Sequence, residues 1–220
     1  SNAQSLRKTG GAPKNPQAEK RYFTCIYARS QDNKDMFFSE LASAIEYEAY
    51  KKNYILKYSF YAEDLDISGI ATTLASPEIS GIVVLGRFDK DRFNAIAEAQ
   101  RNVVYVGLNF TSHKHDAVFC DGYKASVKAM QTLLDLEHRS IAYIGELSKE
   151  NRYRGYCDTL DTKGIELNRK LIVNAKQGLD GGYQGAMGLL EGKAPFTAVF
   201  CANDATAMGA IKALQEHGYR

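Results

Sequence analysis

The sequence predicts an α/β fold built on parallel sheets, and two patterns in its 220 residues carry that prediction. Apolar runs rich in β-branched and aromatic residues alternate with segments of helical periodicity, and the links between them are short. Such alternation is typical of parallel strands, because each crossover helix returns the chain to the same end of the sheet. At 45% hydrophobic residues, the chain can bury the core of one large domain or two small ones.

The predicted strands are apolar runs bounded by polar or turn-forming residues, such as Gly81-Ile-Val-Val-Leu85. Their lengths suit strands that are buried on both faces. They lie at 22–28, 54–60, 81–85, 103–108, 117–120, 140–145, 171–174 and 197–202.

The predicted helices fall between these strands, and the segment 36–52 shows the pattern best. Its apolar residues Phe37, Leu41, Ile45 and Ala49 share one stripe, and Asp35 is placed to cap its start. Further helices are predicted at 90–99, 123–136, 152–163, 181–191 and 204–216.

Composition excludes several classes of protein. A net charge of +2 does not indicate a nucleic-acid surface, and no apolar stretch is long enough to span a membrane. The four cysteines are widely separated, which predicts reduced thiols and a cytoplasmic protein. Ser1-Asn2-Ala3 is typical of the remnant of a purification tag, so residues 1–20 are expected to be that remnant and a tether.

The ends of the predicted strands supply the candidate binding residues, because ligands of doubly wound sheets bind there. The first strand is followed by a polar loop, 29–33, that contains Ser30, and then by the adjacent rings of Phe37 and Phe38. Either one ring packs in the core and the other stacks on a ligand, or both belong to the core.

Later strand ends carry charged and amide side chains. Asp121 follows a strand and is placed either to cap the next helix or to accept hydrogen bonds from a ligand. Arg152 begins a helix, where it is either a ligand donor or a solvated surface charge. Asn203 and Asp204 end the last strand; Asp204 is predicted to cap the helix, which leaves the Asn203 amide for a ligand.

A series of motifs in fixed order resembles one family. The stretches that match it are Phe37-Phe38-Ser-Glu-Leu41, Cys120-Asp121-Gly122-Tyr123, His138-Arg139-Ser-Ile-Ala-Tyr-Ile-Gly145, Arg152-Tyr-Arg-Gly155-Tyr156 and Thr197-Ala-Val-Phe-Cys-Ala-Asn203-Asp204. Together they are similar to the effector-binding core of the lactose-repressor/galactose-repressor (LacI/GalR) family. The resemblance runs from about residue 21 to the end of the chain.

The resemblance implies a periplasmic-binding-protein-like type I fold with two doubly wound parallel-sheet lobes, at 21–136 and 137–220. A small-molecule effector, with a sugar as the leading candidate, would bind between them. The implied effector contacts are Ser30, Phe37, Phe38, Asp121, Arg152, Asn203 and Asp204. The family usually carries further elements after Gly218 and a DNA-binding headpiece before the tether. We therefore expect an incomplete second lobe, a homodimer, and operator DNA bound through a headpiece absent from this chain.

Two other classes of function compete with that of a regulator. A sugar-binding protein of a periplasmic transport system shares the implied fold, although the segment at 138–142 fits the regulators better. An enzyme has little support, since no nucleophile with a paired base and no phosphate loop appears. His113 and His115 lie in a polar loop without a nearby third ligand, so neither a metal nor a cofactor is predicted. The motifs leave a neutral sugar, a sugar phosphate and a nucleobase open as effectors.

Overall fold

The computed structural model describes residues 20–28, 36–62, 66–107 and 114–219. Strands and helices alternate as the sequence predicts, which confirms the α/β class. In chain order they are β1 (Arg21–Tyr27), α1 (Met36–Lys51), β2 (Tyr54–Tyr61), α2 (Ile67–Leu74), β3 (Ile79–Leu85), α3 (Lys90–Ala99), β4 (Val103–Gly107), β5 (Asp116–Phe119), α4 (Gly122–Asp135), β6 (Ile141–Gly145), α5 (Asn151–Thr162), β7 (Ile172–Asn174), α6 (Leu179–Gly192), β8 (Ala198–Cys201) and α7 (Asp204–Glu216).

Helix α2 was not predicted from the sequence. Its segment, Ile-Ser-Gly-Ile-Ala-Thr-Thr-Leu, contains a glycine and several β-branched residues, which lower intrinsic helix propensity. Packing compensates for this low propensity, because Leu74 at the end of α2 is fully buried in the apolar core that also contains Ile82 and Phe93. Tertiary contacts therefore decide the conformation of this segment.

The first sheet has the strand order β2-β1-β3-β4-β5, and its strands pair in parallel. One face packs against α2 and α3 through a core that includes Ile82, Phe93 and Tyr105. The opposite face packs against α1 around Phe23 and Leu85. We call this sheet and its helices the first lobe.

The second sheet, β7-β6-β8, is also parallel. Helices α4 and α5 cover one face, where Met130 and Tyr156 pack beside Tyr143. Helices α6 and α7 cover the other face around Ile144 and Leu189. We call this sheet with α4–α7 the second lobe; α4 thus packs with the second sheet, whereas the predicted boundary assigned 123–136 to the first.

A glycine brings α4 and α5 together. A Cβ atom built on Gly155 would lie 1.9 Å from the Ser126 Oγ and 2.9 Å from the Tyr123 carbonyl oxygen. No larger residue fits without moving one of the two helices. The second lobe is therefore packed closely at the start of α5, where the candidate site lies.

Two further features of the described residues are the state of the cysteines and the length and polarity of the helices. Cys25, Cys120, Cys157 and Cys201 are unpaired, as predicted. Burial raises the pKa of Cys25 to about 12, so this thiol stays protonated at neutral pH. Within the described ranges, no helix has both the length and the apolar character needed to cross a membrane.

Candidate functional site

A network of polar side chains joins the two lobes at the carboxyl ends of their strands. Its members come from loops and helix starts that follow β3, β6, β7 and β8. Ligands of open parallel sheets bind at these ends, because the loops there diverge and leave a crevice. The members are Arg87, Glu146, Glu150, Arg152, Gln177 and Asn203.

The centre of the network is an ion pair between Glu150 and Arg152. Glu150 caps α5: its Oε1 accepts from the Arg152 backbone N at 3.0 Å and from the Arg152 Nε at 2.8 Å. Its Oε2 accepts from the Arg152 Nη2 at 2.9 Å. The two planar groups are therefore paired through both carboxylate oxygens, the geometry that suits arginine best.

Arg152 is held in place by the second lobe around it. Its Nη1 donates to the carbonyl oxygen of Ala202, which directly follows β8. A Cβ atom on Gly122 would lie 3.2 Å from the Arg152 Cγ, so this glycine leaves room for the arginine stem. With 19% of its side chain exposed, Arg152 is not the solvated surface charge that the sequence left open.

Arg87 links the first lobe to the second. Its Nη1 lies 2.9 Å from the Glu146 Oε2, and its Nη2 lies 2.7 Å from the Glu150 Oε2. Glu150 is almost fully buried by these partners, since 3% of its side chain is exposed. One carboxylate thus receives hydrogen bonds from an arginine of each lobe.

Two buried tyrosines position the loops that carry this link. The Tyr105 hydroxyl donates to the Gly86 carbonyl oxygen at 2.9 Å, next to Arg87. The Tyr143 hydroxyl donates to the Glu146 carbonyl oxygen, also at 2.9 Å. Because both rings are fully buried in the sheets, the loops are anchored to the rigid part of each lobe.

Asn203 and Gln177 extend the network across the second lobe. The Asn203 Nδ2 donates to the Gln177 Oε1 at 3.0 Å, and the Gln177 Nε2 donates to the Glu150 Oε2 at 3.0 Å. The Asn203 Oδ1 accepts from the Thr206 backbone N at 2.9 Å. Asn203 therefore caps α7 while its amide nitrogen remains a donor inside the network.

This arrangement corrects the prediction that Asp204 caps α7. Asn203 has the extended conformation of a cap, with φ −155° and ψ 173°, whereas Asp204 is the first residue of the helix and is exposed. Aspartate and asparagine are both good caps, so residue type alone does not choose between neighbours. If Asp204 contacts an effector, it does so with a side chain that is exposed to solvent.

Charges inside the network are balanced and fixed. Burial raises the pKa of Glu150, but hydrogen bonds from Arg152 and Arg87 outweigh burial and lower that pKa to about 2. Burial lowers the pKa of Arg152, and the partnership with Glu150 raises it by more. Two carboxylates therefore face two guanidiniums at neutral pH.

The predicted aromatic pair divides between core and solvent. Phe38 is partly buried against the α1 face of the first sheet, whereas Phe37 is 58% exposed. The rings meet edge to face with their centroids 5.2 Å apart. One ring therefore packs in the core, but it is Phe38, which corrects the predicted stripe that contained Phe37. A ligand contact for Phe37 remains a prediction.

Asp121 adopts the capping arrangement. Its Oδ1 accepts from the Lys124 backbone N at 3.0 Å at the start of α4, and this hydrogen bond lowers the pKa of Asp121. Its exposed carboxylate lies beside Gly122, against which the Arg152 stem packs. Ser30 and the rest of the loop 29–33 lie outside the described residues, as does Asp35.

Other charged and metal-ligating candidates lie away from the network. Arg154 is largely exposed, with its Nε 3.4 Å from the Asp158 carboxylate and its guanidinium over the Tyr123 ring; it belongs to the lining of the cavity described below and not to the network. His113 lies outside the described residues, and His115 contacts the Phe93 ring edge to face at 5.6 Å. Among the described side chains, no group of three metal-ligating residues occurs.

Sequence reasoning missed four members of the network: Arg87, Glu146, Glu150 and Gln177. Arg87 and Glu146 follow the predicted strands 81–85 and 140–145 by one or two residues, so their position at strand ends is the signal that could have found them.

A cavity of about 620 Å³ opens beside the network, lined in part by Arg87, Phe88, Leu147, Glu150 and Tyr153. Small-molecule sites typically measure about 300–1,000 Å³.

Residues 24–220 match the family described as periplasmic binding proteins and sugar binding domain of the LacI family. The chain belongs to this family. The LacI-family resemblance inferred from the motifs and the periplasmic-binding-protein-like fold are thereby confirmed.

Three similar proteins illustrate the family. The HTH-type transcriptional repressor PurR of Serratia proteamaculans is 30% identical over 196 residues, which cover 84% of this chain and 56% of that protein. The ribose operon repressor of Haemophilus influenzae is 30% identical over 191 residues, covering 84% and 57%. A sugar-binding LacI-family transcriptional regulator from Escherichia coli, solved in complex with phosphate, is 28% identical with a TM-score of 0.74, covering 90% of this chain and 74% of that one. This LacI-family chain spans a little over half the length of the two repressors.

Proposed function

We propose that this chain is the effector-binding core of a LacI-family transcription regulator, which binds a sugar or sugar derivative between its lobes and thereby controls operator binding. One observation carries the proposal: a polar network at the strand ends contains side chains of both lobes, and one member from each lobe, Arg87 and Glu150, lines a cavity. A ligand placed there exchanges hydrogen bonds with both lobes. The similar proteins named as repressors favour a regulator over a transport receptor.

The chemistry of the site suits a molecule with several hydroxyl groups. Arg152 offers guanidinium donors, Asn203 and Gln177 offer amides, and Glu150 offers acceptors, so one hydroxyl can both accept and donate. We propose Ser30, Phe37, Phe38, Asp121 and Asp204 as further contacts, with the exposed Phe37 ring stacking on an apolar sugar face.

Regulation would follow from the position of the site between the lobes. A ligand shifts a conformational equilibrium only by its different affinities for the two states. A ligand that replaces the Arg87 contacts favours one arrangement of the lobes over another. In a cytoplasmic homodimer this change would alter the spacing of two operator-binding headpieces, and no catalysis is required.

Calorimetric titration of the purified chain with neutral mono- and disaccharides, their phosphates and purines tests this proposal. We expect a member of the sugar panel to bind, and Arg152→Ala to weaken that binding about tenfold to a hundredfold, because hydrogen bonds to charged groups contribute about 1.5–3 kcal/mol. Arg92→Ala is the control, since Arg92 is an exposed arginine on α3 that does not line the cavity. Absence of binding by every sugar, or equal losses in the two variants, would contradict the proposed function.

A further inference from the structure

We infer that Glu150 determines effector specificity by occupying the donors of Arg152, so that the site accepts a neutral molecule rich in hydroxyl groups and excludes its phosphorylated analogues. This inference rests on the proposed function and deepens it. It assigns a role to a residue outside the motifs that identify the family, and it chooses among the effector classes that the sequence left open.

Three of the five N–H donors of Arg152 are already engaged, including the Nε–Nη2 edge that would bind an anion through two parallel hydrogen bonds. Its Nε and Nη2 donate to the two carboxylate oxygens of Glu150 at 2.8 and 2.9 Å, and its Nη1 donates to the Ala202 carbonyl oxygen. A phosphate group seeking the same fork must displace the Glu150 carboxylate or lie beside it. Either arrangement places two negative charges in a largely buried site, where repulsion is poorly screened.

Arg87 offers no spare positive charge either. Its Nη1 and Nη2 lie 2.9 and 2.7 Å from Glu146 and Glu150. At the outer part of the cavity, Arg154 is paired with Asp158, and the exposed Lys149 shares the rim with Asp89. The two guanidiniums that face the interior are therefore already neutralised by protein carboxylates.

A hydroxyl group fits this environment without repulsion. It can donate to a Glu150 oxygen while it accepts from Arg152, Arg87 or the Gln177 amide, which now bond that carboxylate directly. Several hydroxyl groups on one ring can make such exchanges at once. The site therefore favours binding of a neutral polyol and disfavours binding of a molecule that carries an additional negative charge.

The experiment compares matched ligand pairs on wild type, Glu150→Gln and Asp161→Asn. The pairs are ribose with ribose 5-phosphate, glucose with glucose 6-phosphate, and sucrose with sucrose 6-phosphate; inorganic phosphate is a further probe. Glutamine keeps the shape of Glu150 but removes its charge, while Asp161→Asn removes one exposed charge from the same helix, away from the cavity. Circular dichroism and thermal melting verify that each variant is folded.

Wild type is expected to bind the neutral member of a pair at least tenfold more tightly than its phosphorylated partner. Glu150→Gln is expected to bind inorganic phosphate or the phosphorylated member at least tenfold more tightly than wild type and Asp161→Asn do. A wild-type preference for the phosphorylated member overturns the inference even if Glu150→Gln does not fold.

The two proposals fail in different ways. If sugars bind wild type but Glu150→Gln gains no affinity for any anion, the role of Glu150 is wrong and the proposed function stands. If no sugar binds but Glu150→Gln gains phosphate binding, the proposed function is wrong while exclusion of anions by Glu150 stands. Tighter phosphate binding by Asp161→Asn as well would show an effect of net charge alone and would overturn the inference.

Discussion

Glu150 keeps its negative charge in a position where almost none of its side chain reaches solvent. A buried carboxylate without partners would be neutralised, since the charged form loses its hydration. Here Arg152, Arg87 and Gln177 donate to it, and hydrogen bonds to the charged form lower its pKa to about 2 from an ordinary 4.5. The charge therefore persists because the surrounding donors replace water.

This depressed pKa makes part of the folding stability depend on pH. A carboxyl whose pKa is lower in the folded state stabilises the fold above its unfolded pKa, and that contribution is lost as pH falls toward its folded pKa. For Glu150 the window runs from about pH 4.5 down to about pH 2. At neutral pH the contribution is on the order of 3 kcal/mol.

Urea unfolding of wild type and Glu150→Gln between pH 7 and pH 3 measures this contribution. The free-energy difference between the two proteins should be largest at pH 7, since glutamine leaves Arg152 without its carboxylate partner and Arg87 paired with Glu146 alone. It should shrink steadily once the pH falls below about 4.5. A difference that stays constant down to pH 3 would show that Glu150 does not titrate in this window.

At the scale of elements, the second lobe depends on the close approach of α4 and α5. Gly155 faces the Tyr123 carbonyl oxygen and Ser126, whose hydroxyl donates to that same carbonyl at 2.9 Å. The approach also places Gly122 against the stem of Arg152. Packing of these two helices therefore positions a residue of the candidate site.

We expect Gly155→Ala to lower the free energy of unfolding by about 1–3 kcal/mol, the usual cost of inserting a methyl group into a tightly packed contact. Gly188→Ala in α6 is the control, since a Cβ there meets nothing within 4 Å. That change should raise stability by roughly 0.5–1 kcal/mol, because alanine favours the helix. Chemical denaturation compares the two, and equal shifts would show that the α4–α5 contact is not tight.

At the scale of the molecule, Arg87 connects two lobes that have separate cores. Its side chain is 27% exposed, so solvent screens the interaction and its contribution to stability is modest. The contact has a geometric consequence, because it favours the lobe arrangement in which β3 and β6 present their loops to each other. An effector that competes for Glu150 acts on this same arrangement.

Replacing Arg87 with alanine is expected to widen the range of lobe arrangements at a cost in stability of about 1 kcal/mol. Small-angle X-ray scattering should then show a larger mean radius of gyration without effector. Arg92→Ala is a suitable control, since Arg92 is exposed on α3. An unchanged scattering profile for Arg87→Ala would mean that other contacts hold the lobes together.

The sequence alone determined the alternation of strands and helices, because hydrophobic periodicity and turn residues act over a few neighbouring positions. It also placed Arg152, Asn203 and Asp121 at strand ends, and its ordered motifs identified the family. Helix α2 escaped prediction, since packing overrides its weak propensity.

The tertiary structure decided which side chains meet. Arg87 and Glu150 are 63 residues apart, and their contact depends on how the two lobes face each other. Whether Asn203 or Asp204 capped α7 depended on one backbone conformation at the end of β8. Local patterns carry no information about such long-range encounters, because a charged residue after a strand looks alike in sequence whether it meets solvent or a partner from the opposite lobe.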